Sequence, residues 1–188
     1  MSIYINDDIA NFDWQAALPQ LSEQRREQCL RFKHELGRKT CAAAYLLLCE
    51  ALRKEYGISE PPVFEYGEHG KPTIAGHPDI HFNMSHCREA AICVVRDHPV
   101  GVDIESIRPY KESLARYVMN DDELEKILHA ENPALVFTQL WTRKEAVVKL
   151  SGHGISNDMK SVLTCFAGEL QTVVTDHYVY SLTKPILL

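Results

Sequence analysis

The apolar positions of the first third of the chain repeat with helical spacing. Between Glu23 and Tyr56, Cys29, Phe32 and Leu36 recur at the helix period, and Ala42 to Leu52 is almost wholly apolar over one broad face. Ser22 stands ahead of this stretch as an N-cap and Gly57 ends it, which predicts a long helix over Glu23–Tyr56, or two helices broken at Gly37. Ile3 to Ile5 predicts a short strand before it, with a loop over Asp7–Pro19. After Pro61-Pro62 the period shortens. Val63–Tyr66 alternates, a loop runs over Gly67–Pro72, and Ile80–Met84, Ala90–Arg96 and Val100–Glu105 read as three short strands. The His98-Pro99 pair between the last two predicts a tight antiparallel hairpin. Helical spacing returns over Asp121–Ala130 and Pro133–Leu150, the latter with proline in its first turn. From Ser161 three weakly alternating stretches follow, the last ending in Tyr178–Leu182. Helix followed by strands thus occurs twice, which predicts an α+β fold of two similar halves, 1–105 and 106–188, although no sequence repeat is visible.

Composition narrows the class. In 188 residues, 45% hydrophobic and 24% charged, there is material for a buried core and no sign of disorder. The longest apolar run, Cys41 to Cys49, is about half of what a membrane helix needs, and the first residues lack the basic and apolar pattern of a signal peptide. The six cysteines form no CxxC pair, so reduced thiols in a cytoplasmic protein are expected. A net charge of −6 argues against broad nucleic-acid binding. Within this acidic chain Arg25, Arg26, Arg31, Lys33, Arg38 and Lys39 make a local basic stretch, which a solvated helix face would also explain.

Three constellations carry candidate chemistry. Asp103 and Glu105 lie two apart in a predicted strand, so both carboxylates point to one face, with Cα atoms about 6.5–7 Å apart. Two such anions repel unless a proton or cation separates them, and a hard divalent ion such as Mg²⁺ takes oxygen ligands; a solvated edge strand is the plain alternative. In Trp141-Thr142-Arg143-Lys144-Glu145-Ala146-Val147-Val148-Lys149, helical spacing puts Trp141, Glu145 and Lys149 on one face. This is either a helix anchored by its tryptophan with a surface ion pair, or an acid for metal or proton beside a lysine for phosphate. The following Ser151-Gly152-His153-Gly154-Ile155 allows close backbone approach to a ligand, or simply ends the helix. Lys71-Pro72 and Phe82-Asn83-Met84-Ser85-His86 supply a cation, a hydroxyl and an imidazole suited to phosphate oxygens. Zinc spacing is missing, and no nucleophile elbow surrounds Ser85.

Taken in order, Tyr66-Gly67-Glu68-His69-Gly70-Lys71-Pro72, Phe82–His86, Gly101-Val102-Asp103-Ile104-Glu105 and Trp141–Lys149 resemble the motifs of the 4′-phosphopantetheinyl transferases, specifically the larger, two-half Sfp-like group. The resemblance covers roughly residues 20–156; Arg31-Phe32 and Arg38 resemble the family's N-terminal phosphate-binding segment more loosely, Cys87 stands where the family often has serine, and the tail after Ser156 shows little likeness. It implies two α+β halves with the active site between them, and transfer of the 4′-phosphopantetheine arm from coenzyme A to a serine of an apo acyl or peptidyl carrier protein, releasing adenosine 3′,5′-bisphosphate. It further implies Mg²⁺ held by Asp103, Glu105 and Glu145; Glu145 as acceptor of the serine proton; Lys149 and His86 at the reacting phosphate; and Arg38, Lys71, Ser85, His86 and Lys149 as coenzyme A ligands. A two-half chain of this kind is expected to be a monomer. The carrier is expected on basic residues of the 25–39 stretch or of the 106–120 region (Arg108, Lys111, Arg116), around Tyr117, Val118 and Met119. A non-catalytic coenzyme A or carrier-binding module is the alternative, and a metal-dependent phosphohydrolase a further one.

Overall fold

In the computed structural model, which describes residues 2–67, 69–152 and 159–184, strand β1 (Ile3–Asn6) opens the chain. The expected loop after it contains a helical turn, α1 (Trp14–Ala17), because the Asp13 carboxylate accepts from the backbone N–H groups of Gln15 and Ala16. One turn is too short to show a period. A 3₁₀ turn, Leu18–Gln20, leads to α2 (Glu23–Arg31), capped by Ser22, and α3 (Glu35–Tyr56), which ends at Gly57 with φ 70°. The long helical stretch is therefore two helices, but the break falls between Arg31 and Glu35, not at Gly37. Gly37 lies inside α3, where a Cβ would stand 2.6 Å from the Phe32 ring, so glycine there admits the ring of the reversing segment.

β2 (Phe64–Tyr66) and β3 (Pro72–Ile74) form a hairpin around the Gly67–Lys71 loop. β4 (His81–His86) and β5 (Ala91–Arg96) form another, and β1 completes a three-stranded antiparallel sheet in the order β1-β5-β4. The hairpin expected across His98-Pro99 does not form. β5 already has a partner on each edge, so β6 (Val102–Ser106) enters a second antiparallel sheet, order β6-β8-β7, with β7 (Leu170–Val174) and β8 (Tyr178–Thr183). The first alternating stretch of the tail is a helical turn, α7 (Val162–Cys165). The remaining helices are α4 (Glu112–Val118), α5 (Asp121–Leu128), started by an Asn120/Glu123 capping box, and α6 (Pro133–Ser151), started by Asn132 and ended by Gly152. This is the α+β architecture expected.

α3 packs on β5, the middle strand of the first sheet, and α6 packs on β8, the middle strand of the second. Ile92, Val94, Val102, Ile104 and Leu182 bury a common core between the sheets. The facing edges, β4 and β6, are stitched by side chains. Asn83 Oδ1 accepts from Val102 N–H at 3.3 Å and Ser85 Oγ donates to Asp103 Oδ1 at 2.8 Å, while in the turn after β4 the Arg88 N–H donates to Ser106 Oγ at 3.4 Å. α6 crosses the start of β6 at Gly101, where a Cβ would fall 1.9 Å from the Ala146 carbonyl oxygen. Only glycine permits that approach, and it brings α6 down onto the seam.

Candidate active site

The seam gathers the sequence-predicted groups. Ser85 and His86 from β4, Asp103 and Glu105 from β6, and Trp141, Glu145 and Lys149 from α6 line one cavity of about 340 Å³. The period of two in β6 and of 3.6 in α6 aim both sets into it, as the spacing predicted.

Asp103 is its centre. The side chain is almost fully buried; Oδ1 accepts from Lys149 Nζ at 2.6 Å and from Ser85 Oγ at 2.8 Å, and Lys149 Nζ also donates to Ser85 Oγ at 2.8 Å. Burial pushes the carboxyl of Glu145 above its ordinary range, and the neighbouring Asp103 charge adds to this. Burial and Asp103 raise Glu105 in the same way, although the Trp141 indole N–H donates to it and Arg108 lies near. Among the described residues no three His, Cys, Asp or Glu side chains are yet drawn to the spacing of ligands round one ion. The expected carboxylate set thus shares a cavity without being closed into a cage, and the Lys149 ammonium already sits on Asp103 Oδ1. Two oxygens nevertheless call for a cation: Asp103 Oδ2 and Glu145 Oε1 are buried without a hydrogen-bond partner. Three carboxylates with one ammonium leave two negative charges over, and all the donors are hard oxygens, so the residues fit a divalent ion such as Mg²⁺.

A second cavity of about 290 Å³ adjoins the first, sharing Met84, Glu145 and Lys149 with it and adding Lys71, Phe82 and Asn83. Lys71 Nζ donates to the Leu150 carbonyl at 2.9 Å, and burial lowers its pKa. Gly152 makes room, since a Cβ there would lie 2.9 Å from Lys71 Cδ. Glu68 and the His153-Gly154-Ile155 part of the loop after α6 lie outside the described residues. His86 is exposed at the end of β4; partial desolvation and the charges of Lys149 and Arg25 lower its pKa, against a smaller opposing effect of Asp103. Arg38 is placed elsewhere: its guanidinium lies over the Trp14 ring, 4.9 Å from the centroid, and Nε donates to the Phe32 carbonyl at 3.0 Å. Arg31 is exposed and pairs with Glu27.

The sequence reading missed one charged pair beside the site. Lys144, one residue before Glu145, is fully buried and meets Glu123 at 2.8 Å, while its Nζ donates to the Met159 carbonyl at 2.7 Å. The capping-box spacing of Asn120 and Glu123 was the available signal. On the outer side of Glu105 and Trp141 a third cavity of about 450 Å³ is lined by Arg108, Tyr110, Lys111 and Phe137, with Tyr110, Phe137 and Trp141 stacked in series. Of the apolar trio expected at a docking face, Val118 and Met119 instead fill the core, because α4 turns them inward; Tyr117 is 65% exposed.

The chain is also similar to known proteins. Residues 99–182 match the model of the 4′-phosphopantetheinyl transferase superfamily. The chain is 29% identical to a 4′-phosphopantetheinyl transferase of Bacillus subtilis over 85% of its own length and 72% of the relative's. It is 28% identical to 4′-phosphopantetheinyl transferase Sfp of Bacillus subtilis (strain 168), over 85% of this chain and 72% of Sfp. With 4′-phosphopantetheinyl transferase psf-1 of Bacillus pumilus it shares 33% identity over 76% of its length and 63% of psf-1.

Proposed function

We propose that the chain is a member of the 4′-phosphopantetheinyl transferase superfamily, whose model and named proteins it matches, and that it moves the 4′-phosphopantetheine arm of coenzyme A to a serine hydroxyl of an apo acyl or peptidyl carrier protein. The observation that carries this reading is the shared cavity: three carboxylates on the seam, opening directly into a pocket lined by Lys71 and Lys149. A binding module would use the lysines but has no need of the bare, buried Asp103 Oδ2 and Glu145 Oε1.

In the reaction the carrier serine oxygen bonds to the phosphorus bearing the pantetheine arm, the bond from that phosphorus to the bridging oxygen breaks, and adenosine 3′,5′-bisphosphate leaves. A Mg²⁺ ion held by Asp103, Glu105 and Glu145 would neutralise charge on the pyrophosphate oxygens. Glu145 accepts the serine proton; its raised pKa brings it nearer the range useful for a general base, while metal contact would weaken it as one, so the two roles compete. Lys149, Lys71 and Ser85 hold phosphate oxygens, and His86, kept neutral more easily than an ordinary imidazole, adds a hydrogen bond there. Arg38 contributes to coenzyme A binding only by leaving its place over Trp14.

The carrier docks beside Glu105, on Arg108 and Lys111 of the third cavity and on the exposed Arg116 and Tyr117 of the neighbouring α4, cations and an aromatic ring suited to an acidic partner. Both sheets that build the site come from one chain, which supports action as a monomer. No described helix is long and apolar enough to cross a membrane, and a cytoplasmic place of action accords with the supply of coenzyme A. Incubating apo carrier with coenzyme A and Mg²⁺ and weighing the carrier by mass spectrometry tests the reading. A gain equal to the phosphopantetheine arm is expected. Coenzyme A breakdown with unmodified carrier would indicate a hydrolase instead, and no change in either a binder.

A further inference from the structure

The contact between Lys149 and Asp103 goes beyond what a phosphate ligand requires. Lys149 reaches from α6 across the seam, and its ammonium is hydrogen-bonded to Asp103 Oδ1 at 2.6 Å and to Ser85 Oγ at 2.8 Å, while Ser85 itself donates to the same Oδ1. The lysine thus occupies one of the oxygens that a divalent ion would take, in a cavity where the other buried oxygens, Asp103 Oδ2 and Glu145 Oε1, have no donor. Its own side chain remains 29% exposed, so it can leave without crossing the core.

Resting on the transferase reading, we propose that Lys149 is an internal stand-in cation: it holds Asp103 while the metal is absent and gives up Oδ1 when a divalent ion is bound, becoming free for the phosphate of coenzyme A. Two physical arguments carry this. Three like charges in a half-buried cavity destabilise the fold unless some cation offsets them, and Lys149 is the one cation in hydrogen-bond contact with them among the described residues. In addition, a lysine on a flexible stem reaches Asp103 and the neighbouring Lys71 pocket from the same Cα, since Lys149 lines both cavities. Ser85 directs the exchange. Its hydroxyl bridges ammonium and carboxylate, and once the lysine leaves it still donates to Asp103 Oδ1. Metal and coenzyme A would therefore bind cooperatively, because the first vacates the lysine that the second needs.

The test uses Mn²⁺ alone, without coenzyme A or carrier, titrated into wild-type protein and Lys149→Met and followed by the electron spin resonance of free Mn²⁺. The variant should bind Mn²⁺ about tenfold or more tightly, as expected for removing one competing charge at such a distance. In wild-type protein, added Mg²⁺ should shift the Lys149 side-chain ¹⁵N ammonium resonance, a readout that needs no substitution. Equal or weaker Mn²⁺ binding by Lys149→Met, or an ammonium signal unmoved by Mg²⁺, overturns the exchange. Those results together with normal carrier modification would sink the stand-in role alone. Wild-type protein that gives the carrier no mass gain, with Asp103→Asn binding Mn²⁺ as tightly as wild type, would sink the transferase reading as well.

Discussion

Lys144 meets Glu123 at 2.8 Å with its side chain wholly withdrawn from solvent, and the pair ties the first turn of α5 to the middle of α6. Each partner also bonds to backbone. Glu123 Oε2 accepts from Asn120 N–H, and Lys144 Nζ donates to the Met159 carbonyl. Removing one leaves the other charged and buried. Lys144→Met alone should cost about 3–5 kcal/mol of stability in urea unfolding. Adding Glu123→Leu should recover part of that loss but not all, since the Asn120 N–H then loses its cap. A Lys144→Met protein as stable as wild type would show that the pair contributes nothing.

Gly101 should accept no side chain. The Cβ of Gly101→Ala would overlap the Ala146 carbonyl, which is backbone and cannot rotate away, so α6 must move. A stability loss of about 3 kcal/mol is expected from overpacking of this kind, read as a lower calorimetric Tm. Because α6 carries both Glu145 and Lys149, turnover measured well below that Tm should fall as well. An active variant with an unchanged Tm would show that α6 can stand off from β6 without cost.

Glu145 gives a pH signature. Its folded-state pKa is raised by burial and by Asp103, so the folded protein holds this proton more tightly than the unfolded chain. Stability must then fall as pH rises from the ordinary glutamate value to the raised one, and stay at the lower level above it. Glu145→Gln removes that titration, so the variant should gain stability relative to wild type across the same interval, measured as urea midpoints in metal-free buffer. A pH-independent offset between the two would contradict the raised pKa. In kinetics, Glu145→Gln should lower kcat more than coenzyme A affinity if its main role is proton acceptance; collapse of affinity would make it chiefly a metal ligand.

Asp103 departs from the usual tolerance of metal-facing acids to truncation, because it is buried and anchors Lys149 and Ser85. Asp103→Asn keeps the shape and should preserve the circular dichroism spectrum while lowering transfer by about 10³-fold or more. Wild-type rates across a Mg²⁺ titration would remove Asp103 from the chemistry.

The docking face is addressed by reversing Arg108 and Arg116 to glutamate. Arg116 is exposed and, among the described residues, paired only with Glu112 on its own helix, so its reversal does not disturb the core. KM for the carrier should rise several-fold, more steeply at low salt, and Arg116→Glu alone, away from Glu105, should leave coenzyme A binding unchanged. An unchanged KM would move the carrier to another surface, such as the basic stretch of α2.

What could be read from the sequence follows the range of the interactions involved. Ser22, Gly57, Pro133 and Gly152 mark helix ends by local chemistry, and those ends were legible, whereas the Asn132 cap was not read. α1 and α4 were not, being too short for a period to show. The false hairpin at His98-Pro99 has a different cause: the true partner of β6 is β8, far downstream, and the fact that β5 is filled on both edges exists only in three dimensions. In the site, Asp103 with Glu105 and Glu145 with Lys149 were placed by strand and helix periods alone. That Lys149 rests on Asp103, or that Lys144 is sunk against Glu123, depends on how α6 crosses β6 and α5, which no local pattern encodes.

Asn83 gives the seam a mechanical character of its own. Where two strands share a full ladder of backbone bonds their separation is rigidly set, but β4 and β6 are spanned by the Asn83 amide and the Ser85 hydroxyl, each on a rotatable stem. Such a joint can breathe by fractions of an ångström without tearing either sheet. In the proposed reaction, the side chains that would close on an ion and open to release a nucleotide product hang on this side-chain-bridged seam.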